Sequence, residues 1–346
     1  MGRNKKGEGF GPAAFAGFMG LTLMVALLAV CVGSVNIALG DSLRVFRAAL
    51  LGLPQEDAAL ASILLNVRLP RVLCVALTGG ALSVCGAAMQ GLLKNPLADG
   101  STLGISSGAS LGAALAIALG FSLPGLPFSG AAVLSALFAF LSLILILLLA
   151  YRLDSSLSTN TIILLGIIYS MFVSSILSLV ITFASDRLRQ FTFWTMGSLE
   201  GSSYQNVLAL LGALLVCGGI LLHLAEELNA FAIGEENARS IGVDVKRVRL
   251  TVLVSVSLLI GVCVSIGGTI GFVGLVTPHI VRLVTGPNHK RLLPGSLFGG
   301  AVFLMLADLA ARVIARPMEL PIGVVTSFVG SILFVMIYYR VGRLAR

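Results

Sequence analysis

Charge is what this sequence has least of. Asp, Glu, Lys and Arg make up 11% of 346 residues against 57% hydrophobic, and mean hydropathy is +1.03. Soluble domains carry about 25% charged residues on a wetted surface, so a single water-soluble core is excluded and the solvent of most of this chain is lipid. Ionisable residues are nearly missing from the middle of the apolar runs: Asp99, Asp154, Asp308 and Glu319 fall near expected helix ends, and His223, His279 and His289 lie at or near the expected cytoplasmic side. Ion-coupled transporters place Asp, Glu or His inside the bundle, which argues against a secondary transporter acting alone. His279, after Pro278, reads as a satisfied helix-end histidine rather than a ligand. No nucleophile triad, phosphate loop or metal-ligand cluster is present, so neither catalysis nor a resident cofactor is expected. The five cysteines (Cys31, Cys74, Cys85, Cys217, Cys263) are odd in number and without metal spacing, and read as small packing residues. The longest polar stretches, 36–63, 184–203 and 225–247, are too short for a soluble domain, so an energy source or soluble receptor must be another chain.

What is there is apolar sequence in span-length pieces. Residues 9–40, 72–93, 100–151, 155–185, 201–225, 250–281 and 320–339 contain no charged residue. A span takes roughly 20 apolar residues. The run 100–151 would be about 78 Å long as one helix, over twice a hydrocarbon core, so it folds back, with the break expected at Pro124-Gly125-Leu126-Pro127. The run 250–281 breaks at its glycines Gly267, Gly268, Gly271 and Gly274. The expectation is an all-α polytopic membrane protein, one transmembrane domain over 1–346, with ten spans near 13–36, 66–90, 99–120, 128–151, 158–183, 203–224, 247–267, 272–285, 293–315 and 320–340. The apolar stretch after residues 1–9 is too long for a signal-peptide core and is kept as the first span. Placing the N-terminus in the cytoplasm puts 15 Lys and Arg inside and 8 outside, so both termini are expected to be cytoplasmic. The net charge of +8 then belongs to the cytoplasmic rim and calls for no nucleic acid.

Three local patterns stand out. Forty glycines favour close helix packing in lipid, and Gly104, Gly108 and Gly112, four apart, suggest one packed helix face. The polar segment 225–247 reads as two short helices, Ala225 to Phe231 ended near Gly234, and Glu235 to Ile241 ended by Gly242. Glu235 and Glu236 sit at the positive start of the second and Arg239 near its end, so a compact helical knob is expected to project toward a soluble partner. On the opposite side Arg68 and Arg71 flank Pro70 in an expected helix first turn, Arg312 follows Asp308 by four, and Arg316 extends that row. Arginines where the charge asymmetry disfavours them suggest an acidic partner outside. A faint inverted repeat pairs Arg68–Arg71 and Asn95-Pro96 with Arg247–Leu250 and Thr277-Pro278.

These residues also form blocks with a familiar order: Arg68-Leu69-Pro70-Arg71; Asn95-Pro96-Leu97-Ala98-Asp99 with 103–109 (LGISSGA); Gly234-Glu235-Glu236 with Ala238-Arg239 and Ile241-Gly242; 271–276 (GFVGLV) with Pro278-His279; and 319–326 (ELPIGVVT). From about residue 60 to the C-terminus the chain resembles the FecCD family of permeases, membrane subunits of type II ABC importers for ferric siderophores, haem and cobalamin. The resemblance implies a bacterial inner-membrane subunit that forms a homodimer with an axial path. Two cytoplasmic ATPase subunits would bind ATP and Mg, and a substrate-binding protein would dock outside. It assigns ATPase coupling to Gly234, Glu235, Glu236, Ala238, Arg239, Ile241 and Gly242, and binding-protein docking to Arg68, Arg71 and Arg312. The cytoplasmic gate falls to Asn95, Leu97, Thr159 and Asn160, the last pair within Leu157-Ser158-Thr159-Asn160, where Asn160 replaces a smaller residue. Iron chelate is the expected cargo, with cobalamin or an oxyanion as alternatives.

Overall fold

The computed structural model describes residues 11–33, 37–55, 57–123, 128–154 and 158–344. The break expected at 124–127, Leu157 and the basic N-terminal residues lie outside them. Every regular element among the described residues is helical. Seven helices are long and apolar enough to cross a membrane: α1 (Pro12–Cys31), α3 (Ala58–Leu93), α5 (Gly130–Leu153), α6 (Thr159–Phe183), α8 (Tyr204–His223), α11 (Val245–Gly267) and α13 (His289–Ile314). Helices α4 (Ile105–Leu119) and α12 (Val273–Thr285) are shorter and apolar, as is the stretch 322–337 of α14 (Ile322–Leu344). The remaining α-helices are α2 (Leu39–Leu50), α7 (Leu188–Thr195), α9 (Ala225–Ile233) and α10 (Glu235–Ser240).

Helix α3 is the centre. It is 36 residues long and the most enclosed of the long helices, packing against α13 most extensively and also against α11 and α12. Glycine permits this closeness. A Cβ on Gly79 would sit 2.3 Å from the Gly300 carbonyl oxygen of α13, and one on Gly86 would sit 1.8 Å from that of Gly274 in α12. Small residues let backbones touch where apolar side chains gain nothing by leaving lipid.

The structure differs from the sequence expectation at several points. Helix α3 begins at Ala58, and its segment Ile63–Arg68 is a π-turn in which the Leu69 N–H bonds the Leu64 carbonyl. Pro70, expected in a first turn, therefore lies inside a continuous helix; the widened turn just before it relieves the loss of a backbone donor. Helix α4 starts at Ile105 rather than near 99, because Gly100–Leu103 forms a 3-10 turn and Gly104, at φ +70°, caps the helix. Helices α2 and α7 occupy the stretches read as polar loops. Asn95-Pro96 follows the end of α3, whereas Thr277-Pro278 lies inside α12, so the two parts of the suspected repeat are not structurally equivalent.

Candidate functional site

The segment joining α8 to α11 folds as the expected knob. Gly234 (φ +138°) separates α9 from α10, and Gly242 (φ +92°) ends the turn after α10, conformations that only glycine adopts without strain. Its base is buried: Leu228, Phe231 and Ala238 are fully enclosed, and Glu235 pairs with Arg249, a fully buried guanidinium in the first turns of α11. A carboxylate in the first turn of α10 thus ties that helix to the start of a spanning one. Asp244 caps α11 through the Arg247 N–H at 3.0 Å. On the α9 side, the Asn229 carboxamide oxygen accepts from the His289 backbone N–H at 2.8 Å and from His289 Nδ1 at 2.9 Å, fixing the knob to the start of α13. Lys290 Nζ and Glu226 Oε1 pair at 2.5 Å, which lowers the Glu226 carboxyl below its usual range. The tip is different in kind. Ile233 and Ile241 are 72% and 70% exposed, with Glu236 and Arg239 also exposed between them. A rigid base with an apolar, charged tip can transmit force to the spanning helices it is bonded to.

Beside the knob is the turn after α3, where Lys94 adopts φ +49° and approaches Gly234. Asn95 Oδ1 accepts from the Leu97 N–H at 2.9 Å, closing a tight turn that leaves Leu97 half exposed. The Pro96 carbonyl accepts from His279 Nε2 at 3.0 Å, and Arg282, also on α12, donates to Gln90 at 3.2 Å. His279 is satisfied as expected but lies inside α12 rather than at its end. Thr159 and Asn160 open α6; Ser158 caps them, and Asp154 accepts from the Ser158 N–H at 3.1 Å.

At the other end of α3 the arginines are not a surface. Arg71 Nε and Nη2 reach Asp308 Oδ1 at 3.1 and 2.9 Å, and its Nη1 reaches Glu319 at 2.7 Å. Arg312 Nε pairs with Asp308 Oδ2 at 2.9 Å, an ion pair without the alignment of a hydrogen bond. Arg68 donates to the carbonyls of Val30 and Cys31 at 2.8 and 2.9 Å, and Arg312 to those of Ala29 and Val32 at 3.0 and 3.2 Å. Arg316 donates to Gly33. These carbonyls lie at and just beyond the C-terminal end of α1, where helix carbonyls lack partners and the dipole is negative. Of the residues assigned to docking, Arg68 and Arg312 are buried and Arg71 nearly so, because the end of α1 and two carboxylates occupy their donors.

The glycine stripe is also corrected in part. Gly108 and Gly112 face α5, against Ser142 and Phe138 and against Leu134, but Gly104 lies outside the helix and meets Gly166 and Tyr169 of α6. Sequence reasoning missed the Glu235–Arg249 tie and Glu319 as a partner of Arg71; the available signal was the presence of a carboxylate in each motif. All five cysteines are free and buried, and no cluster of His, Cys, Asp or Glu among the described residues could hold a metal.

Comparison with known proteins places this geometry. The model of the FecCD transport family matches residues 21–340. An uncharacterized ABC transporter permease protein, YvrB of Bacillus subtilis, is 41% identical over 95% of this chain and 93% of its own length. The hemin transport system permease protein HmuU of Yersinia pestis is 37% identical over 92% of this chain and 94% of its own length. A solved structure described as an inward-facing conformation of a metal-chelate type ABC transporter superposes with a TM-score of 0.84 at 31% identity, over 95% of this chain and all of the other.

Proposed function

Since the chain belongs to the FecCD transport family and is therefore a multi-pass membrane permease subunit of an ABC importer, not itself an enzyme, we propose that its cargo is an iron chelate, a ferric siderophore or haem. ATP hydrolysis is the work of separate ATPases. The chain acts as a homodimer in the bacterial inner membrane with both termini in the cytoplasm. Two ATPase subunits grip residues 234–242 of each copy, and a substrate-binding protein docks at the opposite end.

The knob supports the coupling part of this reading. Its tip offers Ile233 and Ile241 to a partner while Glu235–Arg249 and Asn229–His289 bond its base to α11 and α13, so a push on the tip moves spanning helices. The Asn95–Leu97 turn beside it is bonded to α12 through His279 and acts as part of the cytoplasmic gate, with Thr159 and Asn160 at the start of α6 completing it. Helix α6 has the least buried of the long apolar stretches and bears exposed Ser175, Ser178 and Thr182, whose hydroxyls donate to carbonyls one turn back. Such a wall is polar enough to be wetted without gripping a passing complex. With Arg68 and Arg312 committed internally, the docking role of the arginine network is to hold the receiving end in shape; of these three residues Arg71 is the least buried, and Arg316 beside them is exposed.

The test has two arms. Deleting 234–242 should abolish co-purification of the ATPase while leaving the chain membrane-inserted; retention of the ATPase would defeat the coupling assignment. Binding measurements on the cognate binding protein with ferric siderophores, haem and cobalamin then decide the cargo, and a preference for cobalamin or for a simple oxyanion would overturn the iron-chelate assignment alone.

A further inference from the structure

Helix α2 was not expected from the sequence and has no part in the roles above. Its twelve residues divide into three faces. Ser42 and Val45 are buried against the protein. Leu39, Leu43 and Leu50 fall within about 40° of one another at 3.6 residues per turn, and are 51%, 52% and 87% exposed. Arg44 and Arg47 form a third, exposed face roughly a quarter turn beyond them. An apolar face open to the surroundings, flanked on one side by protein and on the other by charge, fits no purely aqueous site.

Its depth is set independently. Helix α1 has 20 residues and is about 30 Å long, the thickness of the hydrocarbon core, so Cys31 at its C-terminal end lies at the edge of that core. The Cys31 thiol lies 3.5 Å from the Ser42 hydroxyl, which holds α2 at that same edge. Large apolar side chains are exposed on the spans before and after it in the chain as well, Leu27 and Leu28 of α1 and Ile63 and Val67 of α3.

We propose that α2 is an interfacial helix: it lies along the membrane surface with Leu39, Leu43 and Leu50 in the outermost acyl region and Arg44 and Arg47 among the lipid phosphates. This is the arrangement of amphipathic helices that lie in the membrane plane. Asp41 and Asp57 line the same shallow cavity of about 410 Å³ as the two arginines, and Asp41 pairs with Arg44 at 2.6 Å. The polar face therefore has little net charge, the apolar face carries the binding, and immersion is independent of anionic lipid. The inference rests on the multi-pass reading and is indifferent to cargo.

The full chain is reconstituted in nanodiscs with a nitroxide label at Leu43→Cys, Leu50→Cys or Arg44→Cys, the parent with its buried native cysteines giving the background. Collision with oxygen relative to a nickel chelate should be several-fold higher at 43 and 50 than at 44, in phosphatidylcholine and phosphatidylglycerol alike. Leu39→Cys replaces either label if its protein melts below the parent. Equal ratios at the three sites would overturn the proposal, as would immersion only in phosphatidylglycerol. So would labels at 43 and 50 that are aqueous until the substrate-binding protein covers them, which would make α2 a protein-docking helix.

Discussion

Asp308 on α13 joins Arg71 on α3, 237 residues earlier in the chain, to Arg312 one turn further along its own helix. One carboxylate thus serves two guanidiniums, of which one also reaches Glu319 and the other fastens the end of α1. Removing it should leave two buried cations short of charge. Asp308→Ala is expected to destabilise the chain by about 3–5 kcal/mol, the usual cost of breaking a buried pair from one side. Thermal unfolding in detergent measures this; an unchanged melting temperature would show that the network contributes nothing net.

The glycine crossings make a sharper steric prediction. Gly86→Ala drives a methyl into the Gly274 backbone, and should destabilise by about 1–3 kcal/mol or prevent assembly. Gly212→Ala, in α8 with nothing within 4 Å of the new methyl, should be neutral or slightly stabilising. Equal effects of the two substitutions would contradict the packing described.

The exposed tip of the knob separates docking from folding. Ile233→Asp with Ile241→Asp should reduce ATPase co-purification at least about tenfold, the effect of losing a little over 1.4 kcal/mol at an interface, without lowering the melting temperature. A loss of both together would point to a structural role.

His279 tests the gate. Replacing it with Phe removes the donor to the Pro96 carbonyl at similar size. Amide exchange over 95–99 should then quicken while that of α12 holds; unchanged exchange would mean the turn needs no brace.

The Glu226–Lys290 pair has a definite pH sign. Its hydrogen bond to Lys290 lowers the Glu226 carboxyl below the ordinary 4.5, so any stabilisation is present above that value and is lost as pH falls through the lowered one. Because Glu226 is exposed and Lys290 partly so, the wild type should melt only slightly above Glu226→Gln at neutral pH and together with it in acid. A difference that widened on acidification would reverse the sign.

The sequence alone determined the class of molecule and the shape of the knob. Lipid demands long charge-free helices, which hydropathy displays directly, and Gly234 and Gly242 mark helix ends that only glycine occupies easily. The five motif blocks were equally legible, because each is short and contiguous. Only the tertiary structure decided what the residues of those blocks touch. Arg68 and Arg312 looked like surface cations, yet the carbonyls they serve belong to α1 and come near only once α1, α3 and α13 pack. Gly104 had the spacing of a helix face, but its backbone conformation put it outside the helix. Helix α2 was hidden because three faces on twelve residues follow no two-sided pattern. Local chemistry can be read along a chain; the pairing of groups more than 200 residues apart is a property of packing.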